Sequence, residues 1–273
     1  MGLIIAVANQ KGGVGKTATT VNLGASLALS GCRVLVVDLD SQGSATSGLG
    51  QPRTTGASSY EVLLGLIQPA QAIRETGVPG LWLIPATRDL AGAEVELIAS
   101  EDRHAKLALQ LSTIADQYDF ILIDCPPALG MLTLNALCAA DAVLVPLQCE
   151  FYALEGLGAL VETLERIRAA FRPELRILGV LLTMYDARTS LSRQVATEVR
   201  RHFGDKVLNA MIPRNVRISE SPSHGQPVVT YDPTSSGAAA YRQAAREVLQ
   251  LTASQRGPVG GVAEGNDREG PNS

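Results

Sequence analysis

The stretch Leu3-Ile4-Ile5-Ala6-Val7-Ala8-Asn9-Gln10-Lys11-Gly12-Gly13-Val14-Gly15-Lys16-Thr17-Ala18 decides how the rest of the chain is read. An apolar run leads into a glycine-rich turn, and the turn leads into residues 16–29, whose composition suits a helix. A strand, a glycine turn and a helix in that order form the setting of a phosphate-cradling loop. Gly12, Gly13 and Gly15 allow backbone N–H groups around Val14 to converge on phosphate oxygens with no Cβ in the way. The helix then points its positive N-terminal end at the same anion. In such a loop Lys16 reaches the β- and γ-phosphates of a nucleoside triphosphate, and the Thr17 hydroxyl can ligate Mg²⁺.

Working outward, short apolar runs recur at residues 3–8, 34–38, 81–85, 120–124, 142–146 and 177–183. Helix-like stretches lie between them at 16–29, 105–116, 154–170 and 191–203, with a last one at 238–251. This alternation predicts an α/β fold, a mostly parallel twisted sheet with helices on both faces. No internal repeat is visible. A single domain over residues 1–251 is expected, followed by a tail at 252–273. The tail is rich in Gly, Asn, Asp and Glu and too polar to bury a core, so it reads as disordered.

Composition narrows the class. Hydrophobic residues make up 46% of the 273, enough for a large core, and aromatics only 4%. No apolar run approaches the roughly 18 residues that span a bilayer. The four cysteines (Cys32, Cys125, Cys138, Cys149) form no C-x-x-C pair, which suits core packing in a reducing cytosol better than a metal site. The net charge of −4 argues against a polyanion partner until its distribution is considered. Residues 1–164 carry −8, residues 165–217 carry +6 and residues 218–273 carry −2. A basic segment on an acidic protein is a candidate polyanion site.

Two further strands end in carboxylates. Val34-Leu35-Val36-Val37-Asp38-Leu39-Asp40 carries a pair, and Phe120-Ile121-Leu122-Ile123-Asp124-Cys125-Pro126-Pro127 ends in Asp124. Strand C-termini face the ligand crevice of open α/β sheets, so Asp40 emerges beside the γ-phosphate and Asp124 near Mg²⁺. Asp38 either hydrogen-bonds near the phosphate loop or caps its strand.

The loop fails the usual G-x-x-x-x-G-K-[ST] pattern at its first position, where Gln10 stands, and instead places Lys11 before the double glycine. K-G-G-x-G-K-[ST] is the deviant Walker A motif, and the chain resembles the ParA/MinD family of P-loop ATPases. Residues 8–17, 38–50, 146–156 and 212–225 bring it closest to chromosome-partitioning ParA proteins of the Soj type. Ser41, Ser44 and Ala18 depart from the family pattern without removing a catalytic group. The resemblance implies a P-loop NTPase fold, with ATP and Mg²⁺ as ligands. It makes Lys11, Lys16, Asp40 and Asp124 the catalytic set. Lys11 would reach the nucleotide of a partner subunit in an ATP-sandwich homodimer, and Asp40 would position the attacking water. Thr17 and Asp124 (through water) would hold the metal. The span Lys11–Ala18 would cradle the phosphates, and Pro213 and Asn215 would contact adenine.

The same resemblance implies non-specific double-stranded DNA as a partner, bound through Arg188 and Arg217. Arg193, Arg200 and Arg201 either widen that patch or form a solvated helix face. No helix-turn-helix precedes the loop at residue 10, so sequence-specific operator binding is not expected. A ParB/Spo0J-type centromere-binding protein is the implied activator, and a cytoplasmic, nucleoid-associated location follows. A MinD-like membrane-associated positioning ATPase and a metabolic ligase on the same fold are the alternatives. The first needs a basic amphipathic C-terminal helix, whereas the tail here is acidic; the second has no use for the basic segment.

Overall fold

Eight strands form one sheet in a computed structural model that describes residues 2–53 and 56–256. In chain order the strands are β1 (Leu3–Val7), β2 (Val34–Asp38), β3 (Arg74–Glu75), β4 (Leu81–Ile84), β5 (Phe120–Asp124), β6 (Ala142–Gln148), β7 (Arg176–Tyr185) and β8 (Val207–Pro213). Their order across the sheet is β3-β4-β2-β5-β1-β6-β7-β8. Every pairing is parallel except β3 with β4, an antiparallel edge two residues long. The mostly parallel sheet expected from the alternation is therefore present.

The helices are α1 (Lys16–Ala28), α2 (Ser44–Gly48), α3 (Ser59–Leu64), α4 (Leu90–Ile98), α5 (Lys106–Ser112) and α6 (Met131–Ala139). They continue with α7 (Ala153–Ala170), α8 (Ser190–Phe203), α9 (Val216–Glu220), α10 (Val228–Tyr231) and α11 (Ser236–Arg256). Helix α7 shows why such segments are helical: Ala153, Leu157, Leu160, Leu164 and Ile167 recur at spacings of three and four, and all are buried. Strand residues alternate between two cores. Leu35 and Val37 of β2 face one with α4 to α7, while Val34 and Val36 face the other with α1 and α11.

One boundary is corrected. Helix α11 runs to Arg256 and buries Thr252, so residues 252–256 are helical where a disordered tail is expected from residue 252. The remainder of that tail, 257–273, lies outside the described residues.

The topology positions the site. Strand β1 lies between β5 and β6; the chain leaves β1 toward β2 on one side, whereas it leaves β5 toward β6 on the other. That switch point opens a crevice at the C-terminal ends of the strands, where β1 delivers the glycine loop and β2 and β5 deliver their carboxylates.

Candidate functional site

The glycine loop has the backbone its sequence requires. Gly13 (φ +74°) and Gly15 (φ +88°) occupy the left-handed region, and Gly15 is the N-cap of α1. Two neighbouring strands pin the loop. The Asn9 amide donates to the Pro146 carbonyl of β6 (2.8 Å) and accepts the Lys11 N–H (3.0 Å), while the Thr183 hydroxyl of β7 donates to the Val14 carbonyl (2.8 Å). Lys16 is buried, and its ammonium donates to the Lys11 carbonyl at 3.0 Å. Burial lowers its pKa, against the opposing pull of Asp124, Cys125 and Asp40. Lys11 stands on the rim with its side chain 45% exposed and forms an ion pair with Glu150, just beyond the end of β6.

Two carboxylates lie side by side beneath the loop. Asp38 and Asp124 are register partners on β2 and β5, and both are fully buried. Desolvation raises both pKa values, and the negative charge of Asp38 adds to the effect on Asp124. Asp124 Oδ1 accepts from the Thr20 hydroxyl at 2.9 Å, and the Thr17 side chain also lowers its pKa. Its Oδ2 is buried with no well-formed hydrogen bond. Asp38 has a different set of partners. Its Oδ1 accepts the Asp40 N–H (3.1 Å) and its Oδ2 accepts the Thr46 N–H (2.8 Å) and hydroxyl (2.7 Å). Of the two roles left open for Asp38, anchoring the end of its own strand is the one seen. Asp40 itself is half-buried, with its carboxylate accepting the Gln42 N–H at 2.9 Å.

On the other side of the loop, Gly15 and Ala18 share a cavity of about 300 Å³ with Thr183, Met184, Pro213, Asn215 and Tyr241. Pro213 and Asn215 are thus brought to the phosphate loop from a distant part of the sequence. Asn215 also has structural work: its Oδ1 caps α9 by accepting the Arg217 N–H (2.8 Å), and its Nδ2 donates to Ser236 Oγ (2.7 Å) at the start of α11. Met184, at the end of β7, takes a left-handed φ of +50°, a strained conformation for a residue with a side chain.

The basic segment reaches the same edge of the sheet. Arg188 follows β7 and is 88% exposed; it forms a two-pronged pair with Asp186 (2.9 and 2.8 Å). Arg217 lies on α9 after β8 and pairs with Glu220 (3.0 Å) and Asp232 (3.3 Å). Of the three further arginines, Arg193 and Arg201 lie on the exposed face of α8, whereas half-buried Arg200 packs toward Met211 and Leu208. Arg200 is therefore poorly placed to extend a surface patch.

The residues fit a divalent cation bound together with a polyphosphate. Asp124 and Thr17 offer hard oxygen donors, and the buried Oδ2 lacks a good partner. Among the described residues no group of three or more His, Cys, Asp or Glu side chains could cage a metal alone. An ion held here would need its other ligands from phosphate and water, as Mg²⁺ characteristically takes them.

Comparison with known proteins places this geometry. The family model described as "AAA domain" matches residues 2–177. The chromosome partitioning protein ParA of Caulobacter vibrioides is 54% identical over 249 residues, covering 90% of this chain and 93% of the relative. The sporulation initiation inhibitor protein Soj of Bacillus subtilis is 53% identical over 249 residues, covering 91% and 98%. This chain belongs to the ParA/Soj family of partition ATPases. Among solved structures, one titled cobyrinic acid a,c-diamide synthase from Mycobacterium smegmatis, with bound ADP and magnesium, superposes with a TM-score of 0.82. It is 42% identical, with 94% of this chain and 97% of that chain covered.

Within the ParA/Soj frame, the P-loop ATPase fold and enzyme class expected from the sequence hold. Sequence reasoning missed several residues that build the site: Thr20 on Asp124, Thr183 on Val14, Glu150 on Lys11, and Thr46 on Asp38. Each is a single polar residue in an element whose neighbours in space are remote in sequence. Only Glu150 and Thr46 fall inside motif-bearing stretches, and there nothing marks them beyond membership. Among the described residues no helix is long and apolar enough to cross a membrane.

Proposed function

We propose that this chain is a DNA-dependent partition ATPase whose ATP-bound homodimer coats non-specific DNA and is released by a ParB/Spo0J-type partner. The observation that carries the reading is the shared sheet edge. The phosphate loop, Asp40, Arg188 and Arg217 all lie on segments that follow the C-terminal ends of strands. Nucleotide site and cationic surface thereby share one end of the sheet.

In this account Gly12, Gly13, Val14, Gly15, Thr17 and Ala18 cradle the phosphates through backbone N–H groups, and Lys16 neutralises β/γ charge. Mg²⁺, held by Thr17 and through water by Asp124, supplies charge neutralisation when bound. Asp40 orients a water for in-line attack on the γ-phosphate. Pro213 and Asn215 hold adenine in the cavity beside Gly15 and Ala18. Lys11, exposed on the rim, exchanges Glu150 for the nucleotide of a second copy. The difference in DNA affinity between ATP- and ADP-bound states drives the cycle, as any ligand-driven switch requires. Arg188 and Arg217 then exchange their carboxylate partners for DNA phosphates, a contact that carries no base information. A cytoplasmic, nucleoid-associated location follows.

ATP turnover measured with and without DNA, and with a purified ParB-type partner, tests the reading. Stimulation by DNA and partner together is expected. Stimulation by anionic vesicles alone would favour a MinD-like membrane protein. Turnover indifferent to both, but coupled to amide formation on a carboxylate substrate, would favour the synthase that the solved structure's title names.

A further inference from the structure

Asp40 opens a tight turn directly after Leu39, whose N–H donates to the Asp124 carbonyl at 3.1 Å and is the last backbone tie to the sheet. The Gly43 N–H donates to the Asp40 carbonyl at 2.8 Å, and Gly43 is left-handed (φ +59°). This closes the turn on itself but does not fix it to the sheet. The Asp40 N–H reaches the sheet through Asp38 Oδ1 (3.1 Å), and Asp38 Oδ2 is held by Thr46 on α2. The Thr46 hydroxyl does double duty, donating to Asp38 Oδ2 at 2.7 Å and accepting the Ala86 N–H at 2.9 Å, just past β4. Ser59 Oγ, at the start of α3, donates to the Asp38 carbonyl at 2.6 Å. Asp38 and Thr46 are both fully buried, so water cannot replace a lost partner without penalty.

We propose that Thr46 is a positioning residue for hydrolysis, its buried hydroxyl bridging Asp38 to Ala86 so that the turn carrying Asp40 is held in register with the phosphate loop. The inference rests on the reading of Asp40 as the water-positioning group. Losing the hydroxyl strands the Ala86 N–H and removes one of the three donors to the Asp38 carboxylate. The carboxylate then holds the Asp40 N–H less firmly. The phosphate cradle is built on β1, β6 and β7 and shares none of these bonds, so ATP affinity is spared.

The test compares Thr46→Val, Thr46→Ser and Asp40→Ala in single-turnover hydrolysis at saturating ATP, alongside ATP affinity. Thr46→Val should slow hydrolysis about tenfold, the scale of a small misplacement of a reacting group. ATP affinity should stay within about twofold of wild type, and Thr46→Ser should restore the rate. Thr46→Ala removes the same hydroxyl in less volume and substitutes if the valine variant does not fold. Wild-type turnover in Thr46→Val with Asp40→Ala inactive overturns this inference alone. A loss that serine does not restore, or an equal fall in ATP affinity, reduces Thr46 to a packing role and also overturns it. Full turnover in Asp40→Ala overturns the reading of Asp40, and the inference with it.

Discussion

Asp38 and Asp124 are direct register partners on neighbouring parallel strands, both removed from solvent, with only hydroxyls and backbone N–H groups bonded to their carboxylates. Two buried carboxylates that close cannot both ionise cheaply. The Lys16 ammonium at the loop offsets part of that charge, and a divalent ion arriving with nucleotide would offset more.

That relationship predicts a pH dependence. Burial raises both pKa values above the ordinary 3.8, so the folded state holds protons that the unfolded state has already released. The associated stability is fully present below that ordinary value and is lost as pH rises through the raised ones. Asp124→Asn removes one of the two titrations. In EDTA without nucleotide, the variant should gain thermal stability relative to wild type at pH 8 and gain less at pH 5, while losing Mg²⁺-dependent hydrolysis. Thermal unfolding at the two pH values checks this; an equal difference at both would mean Asp124 is not a buried charge.

Gly12 tests the loop rim. A Cβ placed at Gly12 meets nothing within 4 Å, and its φ is not left-handed, unlike those of Gly13 and Gly15. Gly12→Val should therefore fold and bind ATP much as wild type does. The added branch points into open space that a second P-loop would fill, so ATP-dependent dimers should be lost. Sedimentation with ATP reads this directly, and wild-type dimerisation would count against a sandwich arrangement.

Gly50 and Gly225 test the join between the segment that follows Asp40 and the segment that follows Arg217. A Cβ on Gly225 would lie 2.7 Å from the Gly50 Cα, and both glycines are left-handed (φ +73° and +63°). Gly225→Ala should cost about 1–3 kcal/mol, through overpacking and strain together. A urea unfolding midpoint unchanged from wild type would mean that the two turns can separate freely.

Much of this was legible in the sequence, for physical reasons. The β1–loop–α1 unit, β2 with Asp38 and Asp40, and β5 with Asp124 are local patterns in which apolar runs end at charged or glycine residues. Strand β8 was less visible, because Asn209 faces solvent in the middle of an edge strand and breaks the apolar run. The short helices α2 and α9 have too few residues for periodicity to register. The ion pairs that occupy Arg188 and Arg217 depend on Asp186, Glu220 and Asp232, and only Asp186 and Glu220 are close in sequence. The Thr46 bridge joins residues 8 and 40 positions away, which no spacing rule reveals.

The central claim is that nucleotide state controls an electrostatic DNA surface carrying Arg188 and Arg217. Each neutralised phosphate adds about −0.9 to the slope of log affinity against log salt. A two-fold dimer presents each arginine twice, so Arg188→Glu with Arg217→Glu should flatten the slope by roughly three to four units while ATP-dependent dimerisation persists. The direct measurement is a salt titration of duplex DNA affinity, with ATP and with ADP, on wild type and the double variant. The account predicts tight, steeply salt-dependent binding by wild type with ATP and not with ADP, and much weaker binding with the flattened slope by the double variant. An unchanged slope in the variant, or equal wild-type affinity with ADP, would contradict it.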